Sequence, residues 1–138
     1  MSARTAAVCL LALVAGGCGG GDDATDDPAA APAVDLTVTL RPEGPDGPAR
    51  QRQIRCEQVG PSAGTAVCQG LAGLSPAQLK PVPANVACTQ IYGGPASASV
   101  RGTLHGKHVD AQFRLTNGCE IERWDRNRVL LDDAPTGG

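Results

Sequence analysis

From Val34 to Leu40 the chain reads Val-Asp-Leu-Thr-Val-Thr-Leu, with apolar and polar residues alternating without a break. A period of two turns one set of side chains to a core and the other to water, which predicts a strand with a single buried face. The glycines and prolines of RPEGPDGP then make a loop. A second and weaker strand pattern runs from Arg50 to Cys56, with Gln51, Gln53 and Arg55 on one side and Arg52, Ile54 and Cys56 on the other. The clearest signal lies between Ser97 and Thr116. Ala98, Val100, Gly102 and Leu104 share one parity, and Val109, Ala111, Phe113 and Leu115 share another beyond His105-Gly106. If those two residues form a hairpin turn, position 104 faces 107, 102 faces 109, 100 faces 111 and 98 faces 113, so the apolar sets coincide except at Lys107 beside the turn. The same register sets Arg101 opposite Asp110 on the other face, a cross-strand pair worth about 0.2–1 kcal/mol.

Helical signals are sparse. Ser75-Pro76 offers an N-cap followed by proline at the first helical position, so Ala77 to Lys80 predicts a turn or two before Pro81 and Pro83 stop it. Glu120 to Asp125 fits a second short helix, and Arg128 to Leu131 reads as a last short strand. The order of elements describes an α+β domain built on an antiparallel sheet of about five strands with two short helices.

The ends of the chain have a different character. Arg4 precedes the uncharged run Thr5 to Ala15, about half of the roughly 20 residues that span a bilayer as a helix, so residues 1–17 read as an export signal. Ala15-Gly16-Gly17-Cys18 is similar to a bacterial lipoprotein processing site, with Cys18 as the lipidated first residue of the mature chain; ordinary cleavage nearby would give a secreted protein instead. Residues 18–33 carry four aspartates, two prolines and no large apolar side chain, which predicts a flexible acidic tether, and 132–138 form a disordered tail of similar composition. The domain is left as 34–131.

With Cys9 and Cys18 set aside, Cys56, Cys68, Cys88 and Cys119 remain. In an oxidising compartment four cysteines suggest two disulfides with three open connectivities; the competing zinc site lacks a Cys-x-x-Cys knuckle. A domain whose aromatics are Tyr92, Phe113 and Trp124 depends on aliphatic packing and such staples. Six aspartates lie in the tether and tail, so the domain keeps eight acids against eleven Lys and Arg. A surplus of three charges without interleaved aromatics excludes a nucleic-acid partner, and the arginines read mainly as a solvated surface. His105 and His108 flank the hairpin turn without further metal ligands, and no nucleophile elbow or phosphate loop occurs, so neither an enzyme nor a cofactor is expected.

Cys88-Thr-Gln-Ile-Tyr92, the hairpin with Gly102-x-x-x-Gly106-x-x-Val109, and Asn117-Gly-Cys119-Glu120 together resemble the bacterial subtilisin inhibitor family over Leu36 to Leu131. The resemblance implies a five-stranded antiparallel sheet with two helices, commonly a homodimer, and the pairings Cys56–Cys68 and Cys88–Cys119, each worth roughly 3–4 kcal/mol on a chain-entropy estimate. It implies a reactive loop that a subtilisin-like serine endopeptidase binds as a substrate. The scissile-type bond is then Gln90–Ile91. Gln90 enters the main specificity pocket, Ala87, Cys88 and Thr89 line the approach, and Ile91 and Tyr92 form the leaving side. Asn117 would support the loop through its amide; its alternative is a turn asparagine before Gly118. The chain departs from the family pattern at Gly93-Gly94-Pro95, where Asp-Pro is usual, at Leu104 in place of tryptophan, and in a shortened Cys56 to Cys68 segment. The expected function is a membrane-tethered protease inhibitor. A non-inhibitory binding domain on the same scaffold is the alternative.

Overall fold

The computed structural model describes residues 31–132. The export signal, the lipidation site Cys18, most of the tether and the last six residues of the tail lie outside the described residues.

Four strands form one antiparallel sheet in the order β2-β1-β3-β4: β1 Val34–Arg41, β2 Arg50–Cys56, β3 Ser97–Leu104 and β4 Lys107–Arg114. Val34, Leu36 and Val38 are buried on the core side of β1, as the alternation requires. The hairpin has the register read from its pattern: Ala98 faces Phe113, Val100 faces Ala111, Gly102 faces Val109 and Leu104 faces Lys107. His105 (φ 49°) and Gly106 (φ 74°) both occupy the left-handed region that a two-residue hairpin turn with right-twisted strands demands. Arg101 Nε lies 3.2 Å from Asp110 Oδ1 on the opposite face. At Gly102 (φ +135°) β1 passes so close that a β-carbon would lie 2.1 Å from the Asp35 carbonyl oxygen, so the middle of the hairpin requires glycine.

One face of the sheet is covered and the other is not. The covering layer supplies Leu71, Leu74 and Leu79 from the segment between β2 and β3, and Trp124, Leu130 and Leu131 from the C-terminal helices. In the first of these segments α1 (Ala66–Gly70) starts at Thr65, whose hydroxyl accepts from Cys68 N–H at 3.3 Å, and is stapled to β2 by Cys56–Cys68. This helix was not anticipated, although a threonine cap preceded it. Two 3₁₀ turns follow, Leu71–Gly73 and Pro76–Leu79. The second is closed by Ser75 N–H donating to Gln78 Oε1 at 2.7 Å, in keeping with the expected turn after Ser75-Pro76. Beyond β4 come α2 (Gly118–Arg126) and α3 (Arg128–Leu131).

The α+β class and the antiparallel sheet stand; the strand count is corrected from about five to four among the described residues. Residues 128–131 are helical. Leu130 and Leu131 are both buried (0% and 2% exposed), whereas consecutive strand residues would point to opposite faces.

Candidate functional site

Between Pro81 and Ala96 the chain forms neither helix nor strand. Pro81, Pro83 and Pro95 lack the N–H that either ladder would need. No charged residue occurs from Pro81 to Val100. Within this neutral stretch Val86, Ile91 and Tyr92 are 47%, 60% and 66% exposed, the large apolar side chains left in water among the described residues.

Three ties hold the stretch to the start of α2 and to the segment leading into it. Cys88 is bonded to Cys119, with Cα atoms 5.4 Å apart. The Thr89 carbonyl accepts from Gly118 N–H at 2.9 Å, and Gly93 N–H donates to the Leu115 carbonyl at 2.8 Å. The first bond satisfies one of the donors that a helix N-terminus leaves unpaired, so the loop caps α2 while α2 fixes the loop. Residues 90–92 form a bow between these two points. Their backbone groups make no hydrogen bond among the described residues, which leaves them open to a partner. The Gln90 side chain folds back, its Nε2 donating to the Cys88 carbonyl at 3.2 Å.

Steric fit enforces the same path. A β-carbon on Gly118 would lie 2.1 Å from Thr89 Oγ1, and one on Gly93 would lie 2.9 Å from Ile121 Cδ1 and 3.1 Å from Leu115 Cβ. Gly94 takes φ +124°. At Gly93 a side chain would press on Ile121 and Leu115, and at Gly94 the backbone conformation itself favours glycine.

The platform under the bow is itself pinned. Arg123 on α2 is buried (2% exposed), donates from Nη1 to the Gln112 carbonyl at 2.7 Å and from Nη2 to the Leu79 carbonyl at 2.6 Å, and pairs with Glu120 at 3.1 Å. Its guanidinium lies 4.0 Å over the Phe113 ring, a cation–π contact inside the core. One side chain thus joins α2 to β4 and to the 3₁₀ turn that precedes the loop.

The sequence-derived residues fall as follows. Cys88, Thr89, Gln90, Ile91 and Tyr92 lie together on the bow and its base, with Ala87 exposed just before it. All four domain cysteines are paired as the resemblance implied. Asn117 is the N-cap of α2, its Oδ1 accepting from Glu120 N–H at 3.0 Å, and the hydrogen bond to Thr89 comes from its neighbour Gly118. Asn117 with an acid three residues later is a helix-start signature, legible but read instead as loop support or a turn. Leu115, Gly118, Ile121 and Arg123 were missed because carbonyl acceptors, close approaches and a buried arginine carry no local pattern. His105 Nε2 lies 3.0 Å from the Leu74 carbonyl oxygen.

No protein-family model, curated protein or solved structure matches the chain.

Proposed function

We propose that the protein is a serine protease inhibitor that acts through a substrate-like loop against subtilisin-type enzymes, displayed from a membrane through a lipidated Cys18. The observation that carries this reading is the bow itself: the Gln90–Ile91 bond lies in solvent between two main-chain hydrogen bonds and beside a disulfide. An extended segment with free backbone donors and acceptors pairs with a protease cleft as an added strand. Ordering one residue costs about 1–2 kcal/mol, so a loop already held at Thr89 and Gly93 binds with much of that cost removed in advance.

The same ties explain resistance to hydrolysis. The protease serine oxygen attacks the Gln90 carbonyl carbon, an acyl bond forms, and the Ile91 nitrogen leaves as an amine. Thr89–Gly118 and Cys88–Cys119 hold the acyl side, and Gly93–Leu115 holds the amine side. The amine therefore remains beside the acyl carbon and reforms the peptide bond. Glutamine presents neither a charge nor a large apolar group, so the target has a broad specificity pocket, while Ile91 and Tyr92 offer apolar surface on the leaving side.

A second reading is a binding domain without inhibition, favoured by the Gln90 amide turned back onto the Cys88 carbonyl. Titration of a subtilisin with the purified protein separates them. Inhibition predicts that activity falls linearly to near zero at one equivalent. Undiminished activity, with or without rapid cleavage of the loop, refutes it.

A further inference from the structure

The uncovered face of the sheet carries a second arrangement, independent of the loop reading. Arg41 on β1 faces Ser97 on β3, and Ser97 faces Arg114 on β4, so the three form one row across adjacent strands. Their neighbours Leu40, Ala98 and Phe113 point to the core side, which turns this row to the open face. Strands lie about 4.8 Å apart, so the two arginine α-carbons are about 10 Å apart with a serine between them. The next row, Thr39–Ser99–Gln112, adds two hydroxyls and an amide. The six side chains line a hollow of about 100 Å³.

Charge singles this hollow out. The other cations of the face have carboxylate partners: Arg101 has Asp110 at 3.2 Å, and Arg55 has Asp35 at 3.3 Å and Glu57 at 3.2 Å. No acid lines the hollow. Arg41 Nη1 donates to the Gly47 carbonyl at 2.9 Å, which fixes the guanidinium without neutralising it. Arg114 makes no ion pair or hydrogen bond among the described residues; Glu43, which borders an adjoining hollow with it, does not pair with it. Two cationic side chains rooted about 10 Å apart on neighbouring strands repel each other, and an anion between them is attracted to both.

We propose that this hollow is an oxyanion site that takes a phosphate group. Arginine presents its donors as a planar fork that matches phosphate oxygens, and here two arginines line the hollow, one on each strand flanking a floor of hydroxyls. A tetrahedral group can use both sides and the floor at once; a carboxylate occupies a single fork. The phosphate has two sources, a soluble phosphorylated ligand or a phospholipid headgroup.

The test is a titration of the ¹⁵N-labelled protein with inorganic phosphate at constant ionic strength, following the amides of Ser97 and Ser99 and the arginine Nε–H signals. The expected result is a saturable shift at Arg41, Arg114, Ser97 and Ser99. Arg41→Gln and Arg114→Gln should each weaken half-saturation by about tenfold, and Arg101→Gln should change it less than about twofold. Amide spectra that match the wild type elsewhere show that the variants remain folded. A response that stays linear, is shared equally by Arg126 and Arg128, or survives both glutamine variants overturns the proposal. Co-sedimentation of the Cys18→Ser protein, which carries no lipid of its own, with phosphatidylglycerol vesicles then assigns the source. Binding lost in both variants identifies a headgroup, and phosphate binding without co-sedimentation identifies a soluble ligand.

Discussion

Gly118→Ala separates the rigidity of the bow from the stability of the fold. The new β-carbon would lie 2.1 Å from Thr89 Oγ1, whereas ordinary contact begins at 3.4 Å. Thr89 must therefore withdraw by about 1.3 Å or abandon its rotamer, and either change alters the residue beside the Gln90–Ile91 bond. A withdrawal of that size also stretches the 2.9 Å bond from Gly118 N–H beyond hydrogen-bonding range, a loss of about 1 kcal/mol. Alanine gains up to about 1 kcal/mol over glycine in a helix, so the global stability should stay within about 1 kcal/mol of wild type. Binding is a different matter, since a misplacement of about 1 Å can cost on the order of 10²-fold. The assay is a subtilisin inhibition constant beside a thermal melt, for both single variants and the Gly118→Ala/Thr89→Ala double. Without Oγ1 the nearest Thr89 atoms are Cβ at 3.4 Å and the carbonyl oxygen at 3.7 Å, so the methyl fits. The double variant should then lose little beyond Thr89→Ala alone. An equal loss from Gly118→Ala in both backgrounds, or none in either, refutes the proposed contact.

Other perturbations probe the remaining ties. Replacing Cys88 and Cys119 together by serine should cost up to about 4 kcal/mol and convert the loop into a substrate; the Cys56/Cys68 pair, which closes a shorter loop, should cost about 3 kcal/mol and leave the bow slow to cleave. Melting temperatures and cleavage rates measured on both variants check the contrast. Gln90→Lys should bring trypsin under inhibition at micromolar protein, and an unaffected trypsin would remove Gln90 from its assigned role. Gly102→Ala combines an unfavourable positive φ with a methyl 2.1 Å from the Asp35 carbonyl oxygen. It should lower stability by about 3 kcal/mol and the melting temperature by more than about 10 °C.

The legible parts of the fold were those whose periodicity and chemistry agreed. The β3–β4 hairpin carried apolar alternation, a turn glycine and a charge pair in one register, and all three meet in the structure. Arg128-Val-Leu-Leu carried only an apolar run, and so short a run does not distinguish a strand from a helical turn. The helical turn is closed at Asn127, whose carbonyl accepts from Leu130 N–H at 2.9 Å and Leu131 N–H at 3.2 Å, while its Nδ2 donates to the Arg123 carbonyl four residues back at 2.8 Å and to the distant Gln78 carbonyl at 3.3 Å. At the site, the resemblance led to the exposed stretch and to its Cys88–Cys119 bridge, but the hydrogen bonds and close contacts that hold it had no signal. Gly118 and Gly93 act through the absence of a side chain, and the Leu115 carbonyl acts through the backbone. The row Arg41–Ser97–Arg114 joins residues from three strands, so it emerges only once all the pairings are fixed.

The most direct measurement is the fate of one peptide bond. The protein incubated with a trace of subtilisin, and sampled by mass spectrometry under non-reducing and reducing conditions, should show slow cleavage that within residues 34–131 is confined to Gln90–Ile91. It should settle at a mixture of intact and cut domains that is also reached from the cut form. Rapid and complete digestion of residues 34–131, or first cleavage within them at any other bond, would contradict the account.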